Sequence, residues 1–452
     1  LNADIFDDSP LFAAAQKYID DAPARFHTPG HKGCALSPCG FMGDGLKYDL
    51  TELPETDSLF TASGPILRAE ELAAQTFGTS LTLMSAGGAT LCIQAMLKLV
   101  SSRANKIIMA RNSHISAVNA AALLGLEPVW IWPHRFPDSS LPGEVKPDDV
   151  FCALKKTPEA AAVYITSPDY YGVMSDVAEI AKICDKNNVP LLVDNAHGAH
   201  LACLDGGRLH PLRLGAWMTC DSAHKTLPVL TGGAWLQIRR GAAREQAKDA
   251  MALFGSTSPS YPVMLSLDLA RAWMKHSGAQ AFGQLHEKVA EIDSFCARLG
   301  LFRADARFDP VRITIDTGSA GLSGFEAARL LRRNGVSAEM ADDRHVVFLP
   351  SPFNSDEDLS RLREGLHGLP LGSAPLPLPP EPERPEAAMT PREALMAPYL
   401  TVPSENSAGR VSAAFSCPCP PGVPIIAPGE RITKNLAHTL KNYGADTVKV
   451  VK

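Results

Sequence analysis

The sequence predicts an α/β protein: a domain built on a mainly parallel sheet, followed by smaller α+β units toward the C-terminus. Short apolar runs alternate with stretches of helical periodicity from about residue 66 onward. The runs are apolar at successive positions, as strands covered by helices on both faces require; a half-exposed strand would alternate. Polar residues and glycines gather where the runs end, and in parallel sheets ligands collect beyond the carboxyl ends of the strands.

The first periodic element is "ILRAEELAAQTFG", which ends at Gly78, a residue suited to the left-handed stop of a helix. "SLTLM" (80–84) then reads as a strand that passes through Gly87-Gly88 into the helix "ATLCIQAMLKLV". Further strands are "KIIMA" (106–110), "PVWIW" (128–132), "AAVYIT" (161–166) and "VPLLVDN" (189–195), with "SDVAEIAKICDKNN" as a helix between the last two. "WMTCDSAH" supplies another short strand, and residues 262–300 read as a helical stretch leaving the domain. A second unit has strands near "VRITIDT" and "HVVFLP" and helices near "SGFEAARLLRRNG" and "DEDLSRLREGLHGL". The proline-dense "SAPLPLPPEPERPEAAMTP" can neither pair in a sheet nor continue a helix, so it reads as a stiff connector. The expected division is a major domain over 1–285, a small α+β domain over 286–370, a linker over 371–388 and a C-terminal subdomain over 389–452.

Composition narrows the function classes. A formal net charge of −6 over 452 residues gives no basic footprint for nucleic acid or an anionic membrane. No run approaches the roughly 18 uninterrupted apolar residues of a membrane span. The start, "LNADIFDDSPLFAAAQKY", is acidic where a signal peptide would be basic, so a cytoplasmic location is expected. Most of the ten cysteines stand singly in apolar segments and are expected to be buried free thiols. Cys417-Pro-Cys419 lacks a second pair or a nearby histidine, and no metal site is expected.

Several loops carry residues with chemical potential. Gly88, Ala89 and Thr90 open a helix whose free N–H groups would suit a phosphate, although a plain tight turn has the same composition. Asp194 ends a buried run, where a carboxylate needs a cation or donors; a helix cap is the competing reading. His197 and His200 follow on the same loop and His114 stands between a strand and a helix, each open to a packing or capping role. Lys225 follows Ser222-Ala223-His224 and precedes an apolar, glycine-bounded stretch, surroundings a surface lysine does not need. In chain order these parts meet the requirements of pyridoxal phosphate: a helix start for its phosphate, a flat partner for its ring, a carboxylate for its pyridine nitrogen and an amine for its aldehyde.

The whole chain resembles the bacterial ornithine/lysine/arginine decarboxylase family of fold-type I pyridoxal-phosphate enzymes. The resemblance runs through "FHTPGHKG" (26–33), "GPILRAEELAAQTFG" (64–78), "RNSHISAVNA" (111–120) and "TSPDYYGVMSD" (166–176). It continues in "VDNAHGAH" (193–200), "SAHKTLP" (222–228), "TSPSYPVMLSLD" (257–268) and "GRVSAAFSCPCPPGVPIIAPGE" (409–430). It implies that Lys225 bonds the cofactor's aldehyde, that Asp194 partners the pyridine nitrogen, that His114 stacks on the ring and that Ala196 lies on the other face beside His197. It implies phosphate contacts from Ala89, Thr90, Ser222 and His224, and from Thr257 or Ser258 of a neighbouring subunit, hence at least a homodimer. The implied reaction is decarboxylation of a basic amino acid, arginine or lysine ahead of ornithine, with Lys225 or His114 returning a proton to the α-carbon.

Three positions depart from the family pattern: the phosphate loop reads Gly87-Gly88-Ala89-Thr90, Ala414 stands where many members carry an acid or amide, and Cys419 replaces a tyrosine. Asp49, Glu52, Glu55, Asp57 and Glu430 are candidates to bind the substrate's distal cation, Asp57 and Glu430 foremost; solvated surface acids are the alternative. The chain begins close to "FHTPGHKG", so the N-terminal wing of larger relatives, and their higher-order rings, are not expected. Rival readings are another fold-type I reaction, such as an aminotransferase or lyase, and a non-catalytic paralogue acting through mixed dimers.

Overall fold

The computed structural model describes residues 3–136, 139–301, 307–379, 381, 383–416 and 424–452. The chain forms two compact units, one from residues 1–99 and 192–287 and the other from 100–191 and 288–452. The fold is mixed α/β with a large, mainly parallel sheet. Its strands are β1 (Leu81–Ser85), β2 (Lys106–Ala110), β3 (Glu127–Ile131), β4 (Val163–Thr166), β5 (Leu191–Asp194), β6 (Met218–Asp221) and β7 (Ala234–Ile238). All residues of β5, β6 and β7 are buried, as continuous apolar runs covered on both faces should be.

In the first unit, β5 pairs parallel with β6, β6 antiparallel with β7, and β7 antiparallel with β1. The helix Pro65–Phe77 precedes β1 and stops at Gly78, whose φ of +66° is the left-handed conformation expected there. Its buried Glu70 accepts the Met84 N–H at 3.1 Å and pairs with Arg244 and Lys248, each at 2.6 Å. These bonds anchor β1, because leaving any one of the buried charges uncompensated would be costly.

In the second unit, β2 pairs parallel with both β3 and β4. A smaller antiparallel sheet combines β8 (Ile313–Asp316), β9 (Met340–Ala341) and β10 (His345–Phe348) in the order β8-β10-β9. The C-terminal segment pairs β11 (Tyr399–Pro403) with β12 (Thr447–Val451), and its core gathers Ile426, Ile432, Leu436, Leu440 and Val450.

Three sequence expectations change. The stretch 262–300 is two helices, Tyr261–Trp273 and Ala279–Arg298, joined through a π-helical turn over Met274–Gly278. A Cβ at Gly278 would meet Cys203 Sγ at 2.8 Å, so close packing against this turn requires the glycine. Second, β7 completes the first unit's part of the sheet although its glutamine interrupts the apolar run. Third, the buried free thiols expected are found at Cys92, Cys184, Cys203, Cys220 and Cys296, whereas Cys34 and Cys152 are exposed and Cys39 is half-buried. Cys34 and Cys39 lie before β1, outside the sheet, and Cys152 falls on the solvent face of an amphipathic helix, Pro147–Lys156. Cys417 and Cys419 lie outside the described residues, and among the described residues no helix is long and apolar enough to cross a membrane.

Candidate active site

Strand register gathers the first unit's candidates. Asp194 of β5 lies opposite Cys220 of β6, Asp221 opposite Trp235 of β7, and Ser85 of β1 opposite Ala234. The carboxyl ends of β1, β5 and β6 therefore share one sheet edge with the start of β7. From that edge the chain continues into Gly88–Thr90, Asn195–His197 and Ser222–Lys225.

Lys225 ends a short 3₁₀ turn, Ala223–Lys225, that follows β6 at once. Its Nζ lies 2.8 Å from Nε2 of buried His197. Asp194 is 2% exposed; its Oδ1 accepts the Ala196 N–H at 3.1 Å and the Cys220 thiol at 3.3 Å. His224 donates from Nδ1 to the Gly233 carbonyl at 3.1 Å, with buried Ser222 Oγ at 3.4 Å. Burial, reinforced by the Lys225 charge, lowers the His224 pKa below the ordinary imidazole value, which favours the neutral ring.

The glycine-bounded stretch after Lys225 now has a physical role. Gly232 takes φ +95° and its carbonyl accepts the Gly88 N–H at 2.8 Å, while Gly233 receives His224. A Cβ at Gly233 would meet Val229 Cγ1 at 2.3 Å. The pair thus ties the loop after β1 to the lysine turn. Gly88, with φ +67°, uses its N–H in this tie, so Ala89 and Thr90 carry the helix-start amides beyond it. Thr257 and Ser258 are exposed on the loop between the helices Arg244–Ala252 and Tyr261–Trp273.

The two candidate substrate acids are engaged within the chain. Asp57 accepts N–H groups from Ser58, Ser63, Gly64 and Ile66 at 2.8–3.2 Å, around the start of the helix Pro65–Phe77. Partial burial raises its pKa and the backbone donors lower it; the donors prevail. Glu430, in the second unit, pairs with Arg111 at 3.0 Å and accepts the Ala427 N–H at 2.7 Å. Burial raises its pKa against the pull of Arg111, whose guanidinium lies 5.2 Å from each of the Trp130 and Trp132 ring centres. His114, also in the second unit, caps the helix Ile115–Leu124: its Nδ1 accepts the Ser116 N–H at 3.2 Å. An accepting Nδ1 puts the neutral ring's proton on Nε2.

Sequence reasoning passed over two groups at this edge. Cys220 reaches Asp194, and on the other face of the sheet Asn195, His210 and Gln237 donate to buried Asp221. An aspartate closing the short strand "WMTCD" was the available signal, since a buried carboxylate requires several donors.

The Orn/Lys/Arg decarboxylase major domain matches residues 9–299, and the C-terminal domain of that family matches 381–443. The chain belongs to the Orn/Lys/Arg decarboxylase family. This decarboxylase-family chain is 30% identical to the arginine decarboxylase of Bacillus subtilis over 97% of its own length and 94% of that protein's. It is 24% identical to the constitutive lysine decarboxylase of Escherichia coli, over 94% of its own length and 75% of that protein's. Among solved structures, the lysine decarboxylase LdcF of Francisella novicida superposes with a TM-score of 0.85 at 18% identity, covering 98% of this chain and 81% of that one. The family is one of pyridoxal-phosphate-dependent amino acid decarboxylases, and the fold is fold-type I.

Proposed function

We propose that this chain, acting as a homodimer in the cytoplasm, binds pyridoxal phosphate and decarboxylates a basic amino acid, arginine foremost, to the corresponding amine. The observation that carries the proposal is the pairing of Lys225 with His197 at the sheet edge where Asp194 also ends its strand. The relatives named arginine decarboxylase, at 30–31% identity over 97% of the chain, support arginine over lysine.

The residues at this edge fit the cofactor. Next to an amine stand an imidazole, a buried carboxylate at a strand end, and a helix start where even an added Cβ on Gly88 would meet nothing within 4 Å. Bound pyridoxal phosphate supplies an electron sink for the bond that breaks as carbon dioxide departs. Asp194 keeps a proton on the ring nitrogen, and its buried position makes that charge effective. His197 takes up and returns the proton of the Lys225 amine, so that Lys225 is nucleophilic when neutral and a proton donor when charged. Ala89 and Thr90 offer N–H groups to the phosphate, joined by Ser222, by His224 and by Thr257 and Ser258 of a second copy. His114 is assigned the ring-stacking role. Asp57 and Glu430 are the acids proposed for the distal cation; each is already engaged within the chain, Asp57 by backbone amides and Glu430 by Arg111, so a substrate cation competes with those contacts.

Carbon dioxide release is measured on the cofactor-loaded protein with arginine, lysine and ornithine in parallel, identifying the amines. The expected result is release from arginine with agmatine as product. A keto acid without carbon dioxide would mark a transaminase, and no reaction with a bound cofactor would mark a regulatory paralogue.

A further inference from the structure

Resting on the function proposed above, we infer that Cys220 is a positioning residue: its thiol donates to Asp194 and fixes the carboxylate that faces the cofactor's ring nitrogen. Asp194 and Cys220 are cross-strand partners in β5 and β6, and their side chains share one face of the sheet. The Sγ to Oδ1 separation is 3.3 Å, within the reach of a sulfur donor. Both residues are buried, Cys220 fully and Asp194 at 2% exposure, so water does not compete for the bond.

The direction of donation follows from the environment. Burial first, then the nearby Asp194 charge, push the Cys220 thiol pKa well above its ordinary value, so the sulfur keeps its proton. Oδ1 also receives the Ala196 N–H at 3.1 Å from the loop just beyond the strand. Two donors from different directions define the carboxylate's rotation about its terminal bond. The neighbouring pair reinforces this on the opposite face, where Asn195 Nδ2 donates to Asp221 Oδ1 at 2.7 Å, and the Asn195 N–H donates to the Cys220 carbonyl at 3.0 Å. Strand ends β5 and β6 are thereby locked in register at the residues next to the chemistry. A thiol serves this purpose where space is limited, because it is small, tolerates an apolar neighbourhood and still donates.

The test combines a measurement on the cofactor-free protein with kinetics. The infrared S–H stretch of Cys220 is isolated as the difference between wild type and Cys220→Ser. It is expected at a frequency lowered by hydrogen bonding, and it should move in Asp194→Asn. In the loaded enzyme, Cys220→Ala is expected to lower kcat roughly three- to tenfold at unchanged KM. It should also shift the midpoint of the pH titration of the visible cofactor band, while Cys220→Ser, which keeps a donor, stays within about twofold of wild type in both readouts. An S–H band at the unbonded frequency that ignores Asp194→Asn overturns the inference. So does a Cys220→Ala enzyme with unchanged kcat and titration midpoint, or a serine variant as impaired as the alanine one. Failure of the cofactor reading is seen separately, as the absence of any visible band when wild-type protein is mixed with pyridoxal phosphate.

Discussion

Lys225 and His197 stand 2.8 Å apart at the end of β6, and that distance sets the first prediction. Lys225→Ala should abolish both turnover and the visible band of the loaded protein, because Lys225 is the amine proposed to bond the cofactor's aldehyde. Asp194→Asn should retain cofactor while losing at least about a hundredfold in kcat, as expected when a buried charge aimed at the reacting system is removed. Equilibrium loading and turnover, measured on the same preparations, separate the two effects. His224 adds a pH dependence. Its Nδ1 proton is engaged by Gly233, so a phosphate contact must use Nε2, which requires a protonated ring. Its pKa lies below the ordinary value in the free chain, so loading takes up a proton and weakens as pH rises. Cofactor dissociation constants between about pH 6 and 8 should rise with pH in wild type and stay flatter in His224→Gln.

Elements hold these residues in place through their ends. Asp57 fastens the start of the helix Pro65–Phe77, and Asp57→Ala should cost about 1–2 kcal/mol in urea unfolding. Asp57's depressed pKa means its contribution is present above the unfolded value of 3.8 and is lost as pH falls through the depressed folded value. Asp268 has the opposite sign. It accepts the Leu11 and Phe12 N–H groups of the helix Pro10–Asp20, and burial outweighs Arg271 to push its pKa up to about 6. Its contribution is complete below the unfolded value of 3.8 and is lost as pH rises toward about 6. Thermal melts across that window should slope downward with pH in wild type and flatten in Asp268→Asn.

At the scale of the whole molecule, the proposed homodimer makes a mixing prediction. If Thr257 and Ser258 complete a partner's site, combining inactive Lys225→Ala chains with inactive chains carrying Thr257→Asp and Ser258→Asp should restore about a quarter of wild-type activity, since mixed dimers carry one intact site. Unmixed preparations should show none. Co-purification of an untagged chain with a tagged one under the same conditions checks that subunits exchange. Phe26, Leu36 and Phe41, at 95%, 96% and 87% exposure in the isolated chain, are consistent with a surface covered in an assembly.

The alternation of apolar runs with helical periodicity located β1 to β6, because strands covered on both faces leave a local signature in composition. Family membership was likewise legible, in motifs spread along nearly the full length. The positions of Lys225, Asp194 and Gly88 at strand ends followed from local pattern alone. Other features depended on contacts between residues far apart in sequence. Asp57 and Glu430 looked available for substrate, yet one is engaged by backbone amides and the other by Arg111. β7 was hidden by its Gln237, a polar side chain that only the fold supplies with a partner, Asp221. Cys220 looked like an ordinary buried thiol until strand register set it against Asp194. Sequence by itself determined β1 to β6 and which side chains could do chemistry, since propensity and periodicity are local. Tertiary structure alone decided which of those side chains are engaged and by what, because hydrogen bonds and charge compensation depend on neighbours that only folding brings together.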